Sequence, residues 1–294
     1  MELDLSIIIP VYNSDKTISK CIESILEQDL KEKEIILIDD GSRDDSLHIL
    51  LEYERKYNCV KVIAQDNMGQ GVARNNGIKI AAGNYITFVD SDDYISGISS
   101  YSKFIDKCYK NDLDLLIFNY IIVQDNVNHD IATFTENVIF SSEEVLSKFL
   151  LSNEVEGYSC NKIFKSKLFK EDGIRFIEGK KYEDIPLVVD AIILSNKIEF
   201  DNTKTYNYVI NNLSTTRNIN INTLHDEVDS MEFIIEKVKK INSTKMNLNL
   251  QTYIKKRIKT YSMYRLKNLL KFKLSFEEFW VINKRYIELL RKVV

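Results

Sequence analysis

Several functional classes leave no trace in this chain of 294 residues. Its four cysteines, Cys21, Cys59, Cys108 and Cys160, stand far apart without CxxC or Cys/His spacing. That disfavours a zinc site and a disulfide framework, and predicts free thiols in a reducing cytoplasm. The three histidines, His48, His129 and His225, pair with no serine, cysteine or carboxylate motif. Ser/His/Asp nucleophilic catalysis is therefore unsupported, and surface or packing roles are expected. No apolar run approaches the roughly 18 residues of a membrane span. The start, MELDLSIIIPVYNS, is acidic with a short apolar run, so it resembles neither a signal peptide nor a membrane anchor. Repeats and low-complexity linkers are lacking. Proline occurs only at Pro10 and Pro186, and five of the nine glycines lie between Gly41 and Gly83, which concentrates backbone freedom in one short region.

What is present is unevenly distributed. The net charge of −4 conceals a basic C-terminal stretch: residues 234 to 294 hold sixteen Lys/Arg against four Asp/Glu, leaving twenty-four against forty in the remainder. Tail and body therefore face different partners, or each other.

Apolar runs at Leu5 to Ile9, Glu34 to Asp39, Val60 to Ala64 and Tyr85 to Val89 read as short strands. Ser14 to Glu27, Asp44 to Tyr57 and Gln70 to Ala82 read as helices between them. In the first, Ile18, Cys21, Ile22, Ile25 and Leu26 recur at helical spacing, with Ser14 as N-cap. Strand and helix in strict alternation imply right-handed crossovers and a mainly parallel, doubly wound sheet, whose ligands sit at the carboxyl ends of its strands. Three acidic or turn-forming stretches fall there: PVYN, DDGSRDDS and DSDD. Further on, helices are expected near 97 to 110, from Ser141 to Leu151 and from about Glu183 to Ser195, with strands at Leu113 to Phe118 and within 119 to 140. Helices near 222 to 241, 247 to 271 and 276 to 291 complete the chain.

Each motif admits a chemical and a plain reading. In DSDD an Asp-x-Asp turn aims carboxylates at one point, as a hard divalent ion shared with substrate phosphates requires; alternatively Asp93 or Ser96 caps the next helix. In DDGSRDDS either Ser42 or Asp44 could cap a helix. Asp39 and Asp40, however, end a buried strand, where charge is costly without a partner, such as a uracil N–H or a ribose hydroxyl. DNMGQGVARNNG lacks the G-x-G-x-x-G spacing of a dinucleotide site. Its Arg74 could pair an acidic cluster, approach a phosphate or form a surface salt bridge. KYEDIP reads as a helix N-terminus with acids in its first turn.

Taken in order, SIIIPVYNS, EIILIDDGSRDDS, NMGQGVARNNGI and GNYITFVDSDD resemble the N-terminal half of family 2 glycosyltransferases of GT-A fold, over about residues 3 to 98. The resemblance implies an α/β GT-A fold, Rossmann-like, with a mainly parallel sheet flanked by helices and a C-terminal helical appendage. The helical pattern past Ile221 sets a basic helical region at 221–294 apart from a catalytic domain at 1–220, within which the resemblance implies that 1–98 binds nucleotide and 99–220 binds acceptor. The resemblance implies a UDP-sugar donor and Mn²⁺ or Mg²⁺. Pro10, Val11 and Tyr12 would wall the base, Asp40 would hydrogen-bond it and Asp39 would support from behind. Asn67 and Arg74 would lie near base and ribose, and Ser91 within the nucleotide-sugar set. Asp90 would contact the ribose or the metal, Asp92 would bind the metal, and Asp93 would stand behind them.

The resemblance continues more loosely through CNKIFKSKLF and IRFIEGKKYEDIPLVVDAI, similar to the acceptor side of capsule and polysaccharide members. It assigns Asp184 as catalytic base, with Glu183 binding hydroxyls. Inverting sugar transfer needs such a carboxylate to take the acceptor's proton. In TYNYVINNLSTTR, Val209 and Asn211 occupy the positions of two arginines usual in relatives; Arg217, Lys180 or Lys181 could replace that clamp on the diphosphate.

In the basic tail, Tyr253, Ile254, Ile258, Tyr261 and Met263 interleave with Lys255, Lys256, Arg257 and Lys259. This suits an interfacial helix on an anionic membrane, at the inner face of the cell membrane and near a lipid-linked acceptor, or a helix packed on the catalytic domain. No nucleic-acid module is recognisable, and a homodimer is an open expectation. An inverting transferase acting on a glycan hydroxyl in surface polysaccharide synthesis is the reading preferred. Its competitor is a non-catalytic, nucleotide-sugar-binding scaffold of a polysaccharide assembly complex.

Overall fold

A computed structural model describes residues 3–124, 127–129, 134, 137–152, 154–210, 220–241, 243–267 and 275–293. Four strands, β1 (Leu5–Val11), β2 (Lys33–Asp40), β3 (Val60–Gln65) and β4 (Tyr85–Phe88), alternate with helices α1 (Ile18–Leu26), α2 (Ser46–Lys56) and α3 (Gln70–Ile80). All seven residues of β1 and all eight of β2 are buried. Helices cover both faces, and strands so covered pair in parallel. β1 lies between β2 and β4, with Val11 opposite Asp39 and Ile8 opposite Phe88. This register ends both strands beside one another and delivers PVYN, DDGS and DSDD to one edge.

β5 (Tyr94–Ile95) and α4 (Ser100–Asn111) lead into β6 (Leu115–Gln124), which pairs with β7 (Val127–His129). After α5 (Ser142–Leu151), β8 (Lys162–Lys165) inserts antiparallel between β4 and β6. Short α6 (Lys167–Lys170) and α7 (Asp184–Leu194) precede β9 (Ile198–Val209), which pairs parallel with β6 and antiparallel with β5. The sheet order is thus β3-β2-β1-β4-β8-β6-β9-β5, parallel through residue 88 and mixed beyond it.

Alternation along β1 separates two cores. Leu5, Ile7, Ile9 and Val11 pack with Ile18, Cys21, Ile22 and Ile25 of α1 and with α4. Ile8 faces the opposite side, in a cluster that continues through α7 into α8 (Ile221–Lys239), α9 (Thr244–Lys267) and α10 (Phe276–Val293). Among the described residues, no helix is long and apolar enough to cross a membrane.

Local details correct two capping expectations and bear on the two readings of the tail. Ser14 does not cap α1, because its carbonyl accepts from Thr17 and Ile18 in a turn that delays the helix to Ile18. Neither Asp93 nor Ser96 caps α4, whose N-cap is Ser99; both side chains bond to β9 instead. In the tail, Tyr253 and Ile254 are buried, with Tyr253 ranged against Phe149 of α5 at 6.2 Å between ring centroids. These two residues therefore belong to the core and supply no membrane-facing surface, while Lys255 and Lys256 are exposed. The side chains of Arg257, Ile258, Tyr261 and Met263 lie outside the described residues. α5 itself begins with a capping box between Ser141 and Glu144.

Candidate active site

Arg74 on α3 organises the strand ends. Its Nη2 meets Asp90 Oδ1 at 2.7 Å, and its Nη1 meets Glu183 Oε1 at 2.7 Å and Asp184 Oδ1 at 3.2 Å. One buried guanidinium therefore joins the acidic turn after β4 to the acidic pair opening α7, 109 residues away in sequence. Burial alone would push its pKa down, but the carboxylates of Asp184, Asp90 and Glu183 outweigh that and keep it charged. Its Nε is buried without a hydrogen-bond partner among the described residues.

Three carboxylates around one cation leave surplus negative charge, and Asp92 and Asp93 add to it. Desolvation, followed by Asp184, pushes the Glu183 carboxyl up to about 7. Asp93 is raised well above the usual carboxylate range, again by burial first and then by Asp90 and Asp92. Asp93 is held at both oxygens: Tyr206 donates its hydroxyl to Oδ2 at 2.5 Å and Val209 its N–H to Oδ1 at 2.7 Å. Tyr206 Oη in turn accepts from the Asp90 N–H. Asp93 thus fixes the turn to β9, while Asp90 and Asp92 are partly accessible. Their hard oxygen donors are of the kind a divalent cation takes. Among the described residues no three His, Cys, Asp or Glu side chains converge on one cation position.

At the end of β2 the two aspartates differ in what they hold. Asp40 is fully engaged with the protein: Oδ1 accepts from Gln65 Nε2 and the Met68 N–H, and Oδ2 from the Gly69 N–H, each at 2.8 Å. It anchors the loop ahead of α3. Asp39 Oδ2 accepts from the Ser42 N–H at 3.3 Å, whereas its buried Oδ1 has no hydrogen-bond partner among the described residues. A buried acceptor without a donor is costly, and a ligand N–H is one partner that Asp39 Oδ1 could take. Gly41 allows this turn: its φ is +70°, and a Cβ there would stand 2.8 Å from Asn67 N. Asn67 lies exposed at the rim. Pro10 and Val11 end β1, with Tyr12 exposed beyond them. The loops are cross-tied, Ser14 Oγ lying 2.7 Å from Ser91 Oγ, and Asp44 accepting from the N–H groups of Asp15 and Ser46. Neither Ser42 nor Asp44 is the N-cap of α2, which is Asp45; Ser42 Oγ accepts from the Asn13 N–H instead.

The opposite wall is built on Asp184. Ser159 donates its N–H and its hydroxyl to Asp184 Oδ2 at 3.1 and 3.0 Å, leaving Oδ1 towards Arg74. Lys162, fully buried, donates to the carbonyls of Glu156 and Tyr158 and to Asn161 Oδ1. Burial lowers its ammonium to about 8. The loop before α7 is pinned from α8: Asp226 accepts from the Lys181 N–H, Ser230 donates to the Tyr182 carbonyl and Asp229 pairs with Lys180. Tyr182 itself holds φ +59°, a left-handed conformation unusual for a bulky residue and placed directly before the acidic pair. A cavity of about 250 Å³ opens between this loop and α8, lined by Lys180, Lys181, Glu183, Asp229 and Phe233 among others.

Ser159, Lys162, Tyr206 and the α8 contacts were not singled out from sequence. The isolated Gly157 just before Ser159, and the tyrosines of TYNYV, were the available signals. Lys180 pairs with Asp229 of α8. Arg217 and Asn211 lie outside the described residues. His48 pairs with Glu52 at the surface and His225 lies against Arg285, both away from this cluster. All four cysteines are free, and burial pushes the Cys21 and Cys160 thiols up.

Comparisons with known proteins agree on one family. The model described as "Glycosyl transferase family 2" matches residues 6–173. The glycosyltransferase GlyA of Streptococcus pneumoniae is 29% identical over 239 residues, spanning 77% of this chain and 33% of that protein. The glycosyltransferase GlyG of the same organism is 31% identical over 214 residues, 69% of this chain and 70% of that protein. This chain thus spans a third of one relative and about two thirds of the other. The crystal structure of S. aureus TarS 1-349 in complex with UDP-GlcNAc superposes with a TM-score of 0.76 at 22% identity, over 98% of this chain and 82% of that one, a likeness of fold.

Proposed function

Because the chain belongs to glycosyltransferase family 2, we propose that it is an inverting transferase moving a hexosyl or N-acetylhexosaminyl group from a UDP-sugar to a hydroxyl of a glycan acceptor, in surface polysaccharide synthesis. The observation that carries this reading is the contact of Arg74 with both Asp90 and the Glu183–Asp184 pair. It joins the acidic turn after β4 to the acidic pair opening α7, which supports reading them as one site for diphosphate and base.

In this reading Pro10, Val11 and Tyr12 wall the uracil, and Asp39 Oδ1 accepts its N–H; the orphaned oxygen supports that assignment. The acceptor hydroxyl gives its proton to Asp184 as its oxygen attacks the anomeric carbon from the face opposite the diphosphate. The anomeric C–O bond breaks and its electron pair leaves with UDP. Ser159 holds Asp184 in a fixed orientation, and Glu183 meets sugar hydroxyls. Arg74 keeps the paired carboxylates from repelling one another. Asp92 and Asp90 would hold Mn²⁺ or Mg²⁺ together with phosphate oxygens, and the ion would supply charge neutralisation for the leaving diphosphate.

UDP release dependent on a divalent ion and on a glycan acceptor is the direct test. Asp184→Asn is expected to reduce turnover by about 10²–10⁴-fold, the usual worth of a general base, with UDP affinity retained. Activity within about tenfold of the parent would remove Asp184 from that role.

A further inference from the structure

The turn that holds the base also displays an aromatic ring. Gly157 and Ser159 both touch the first turn of α7: a Cβ at Gly157 would lie 2.6 Å from Ile185 Cγ1, and Ser159 donates twice to Asp184. Tyr158, between them, is therefore fixed beside the base, yet it is 46% exposed. Its ring lies 13° from parallel with Tyr208, at 6.3 Å between centroids, and edge-on to Tyr120 at 6.4 Å. Tyr208 sits on β9 between Tyr206 and Val209, the two residues that hold Asp93. The near-parallel pair thus runs from the base's turn to the acidic turn. Lys162 makes the turn rigid by binding the carbonyls of Glu156 and Tyr158, and Glu156 accepts from the Tyr120 hydroxyl at 2.6 Å.

A single exposed tyrosine needs no explanation. Tyr158, stacked on Tyr208, edged by Tyr120 and carried on a turn that a buried lysine holds, presents beside a base a ring of high apolar area and low ordering cost. A pyranose matches it, having an axial C–H face that packs on an aromatic ring and a hydroxyl rim that stays polar. The nucleotide occupies the ends of β1, β2 and β4, whereas the sugar whose hydroxyl is deprotonated must lie on the side of Asp184. We propose that Tyr158, backed by Tyr208, forms the acceptor shelf, on which the receiving pyranose stacks so that its hydroxyl faces Asp184. The shelf selects ring acceptors over open-chain polyol phosphates, which present no such face. This inference rests on the sugar-transfer reading above.

The test is saturation-transfer NMR on the full chain with UDP present, using methyl β-glucopyranoside, methyl β-galactopyranoside and their N-acetylamino counterparts as probes and glycerol 3-phosphate as the ringless control. UDP affinity is measured calorimetrically on the same samples. At least one pyranoside should receive saturation at its ring C–H protons, weakened about tenfold by Tyr158→Ala and held within about twofold by Tyr158→Phe, which keeps the ring; UDP affinity should not change. Pyranoside binding undiminished in Tyr158→Ala, no pyranoside signal from protein that binds UDP, or preferential binding of glycerol 3-phosphate would overturn the shelf. Failure of the unaltered chain to bind UDP would overturn the sugar-transfer reading and the shelf with it.

Discussion

Two neighbouring aspartates at the end of β2 show how little residue type says about role. Asp40 satisfies three donors of the 65–69 loop, while Asp39 retains a buried oxygen with no hydrogen-bond partner among the described residues. Asp39→Asn should therefore weaken UDP binding by about tenfold or more, the scale of one hydrogen bond to a charged group at about 1.5–3 kcal/mol, with little change in melting temperature. Asp40→Asn should do the reverse, since its amide would face N–H donors and unseat the loop before α3. Calorimetry and thermal melts on the two variants would separate these outcomes, and equal loss of UDP affinity without destabilisation would contradict the division of labour. Glu183 makes a second prediction at this scale. Its folded pKa, near 7, lies above its ordinary value of 4.5 because burial and Asp184 disfavour the charge. The folded state then binds the proton more tightly than the unfolded one, so this group's contribution to stability falls as pH rises between those values and is flat above them. Glu183→Gln mimics the protonated form. The melting temperature of the parent relative to this variant should decline from pH 5 to pH 8; a constant offset would show that Glu183 ionises normally.

Elements were legible where they obey one rule at a time. The apolar runs of β1 to β4 and the 3.6-residue spacing of α1 follow from burial on two faces or one, and the matched strand ends place PVYN, DDGS and DSDD together. β9 was not legible, because Asp201, Asn202, Thr203 and Lys204 interrupt its pattern and its pairing with β6 shifts register at Phe118 and Asn119. β8 is only four residues long and hides within CNKIFKSKLF. Arg74 was visible as a cation on a helix, but its union with Glu183 depends on how far-apart segments pack, which no local pattern encodes. The same holds for the loop before α7, which is shaped by α8. Ser230 and Asp226 restrain Tyr182 and Lys181, and so maintain the left-handed residue before the acidic pair. Asp226→Ala should lower kcat several-fold by freeing that loop while leaving UDP affinity near its original value. Steady-state kinetics beside UDP titration would read both, and a change confined to UDP affinity would place the effect elsewhere.

For the whole molecule the question is whether the C-terminal helices are a rider or a wall. Their excess positive charge is partly met by acids of the neighbouring helices: Arg285 pairs with Asp229, Lys292 with Glu232 and Lys237 with Asp190 on α7. Their apolar residues join the larger core, with Leu224, Val228, Met231, Ile234, Ile235 and Val238 of α8 followed by Met246, Leu250, Tyr253 and Ile254 of α9 and Ile282, Tyr286 and Leu289 of α10. Burying one such side chain is worth about 1.5–3 kcal/mol, against about 5–15 kcal/mol for the net stability of a whole domain. A chain ended after residue 220 would expose the surface of α7 and α5 that these helices cover, and would lose the contacts that hold the loop ahead of Asp184. It is expected to be insoluble or to melt without a cooperative transition, and to lose turnover even where some UDP binding at the β1–β4 edge survives. A soluble 1–220 fragment with a sharp melt and undiminished turnover would show instead that the catalytic unit is closed without them, and that α8 contributes nothing to the geometry of the base.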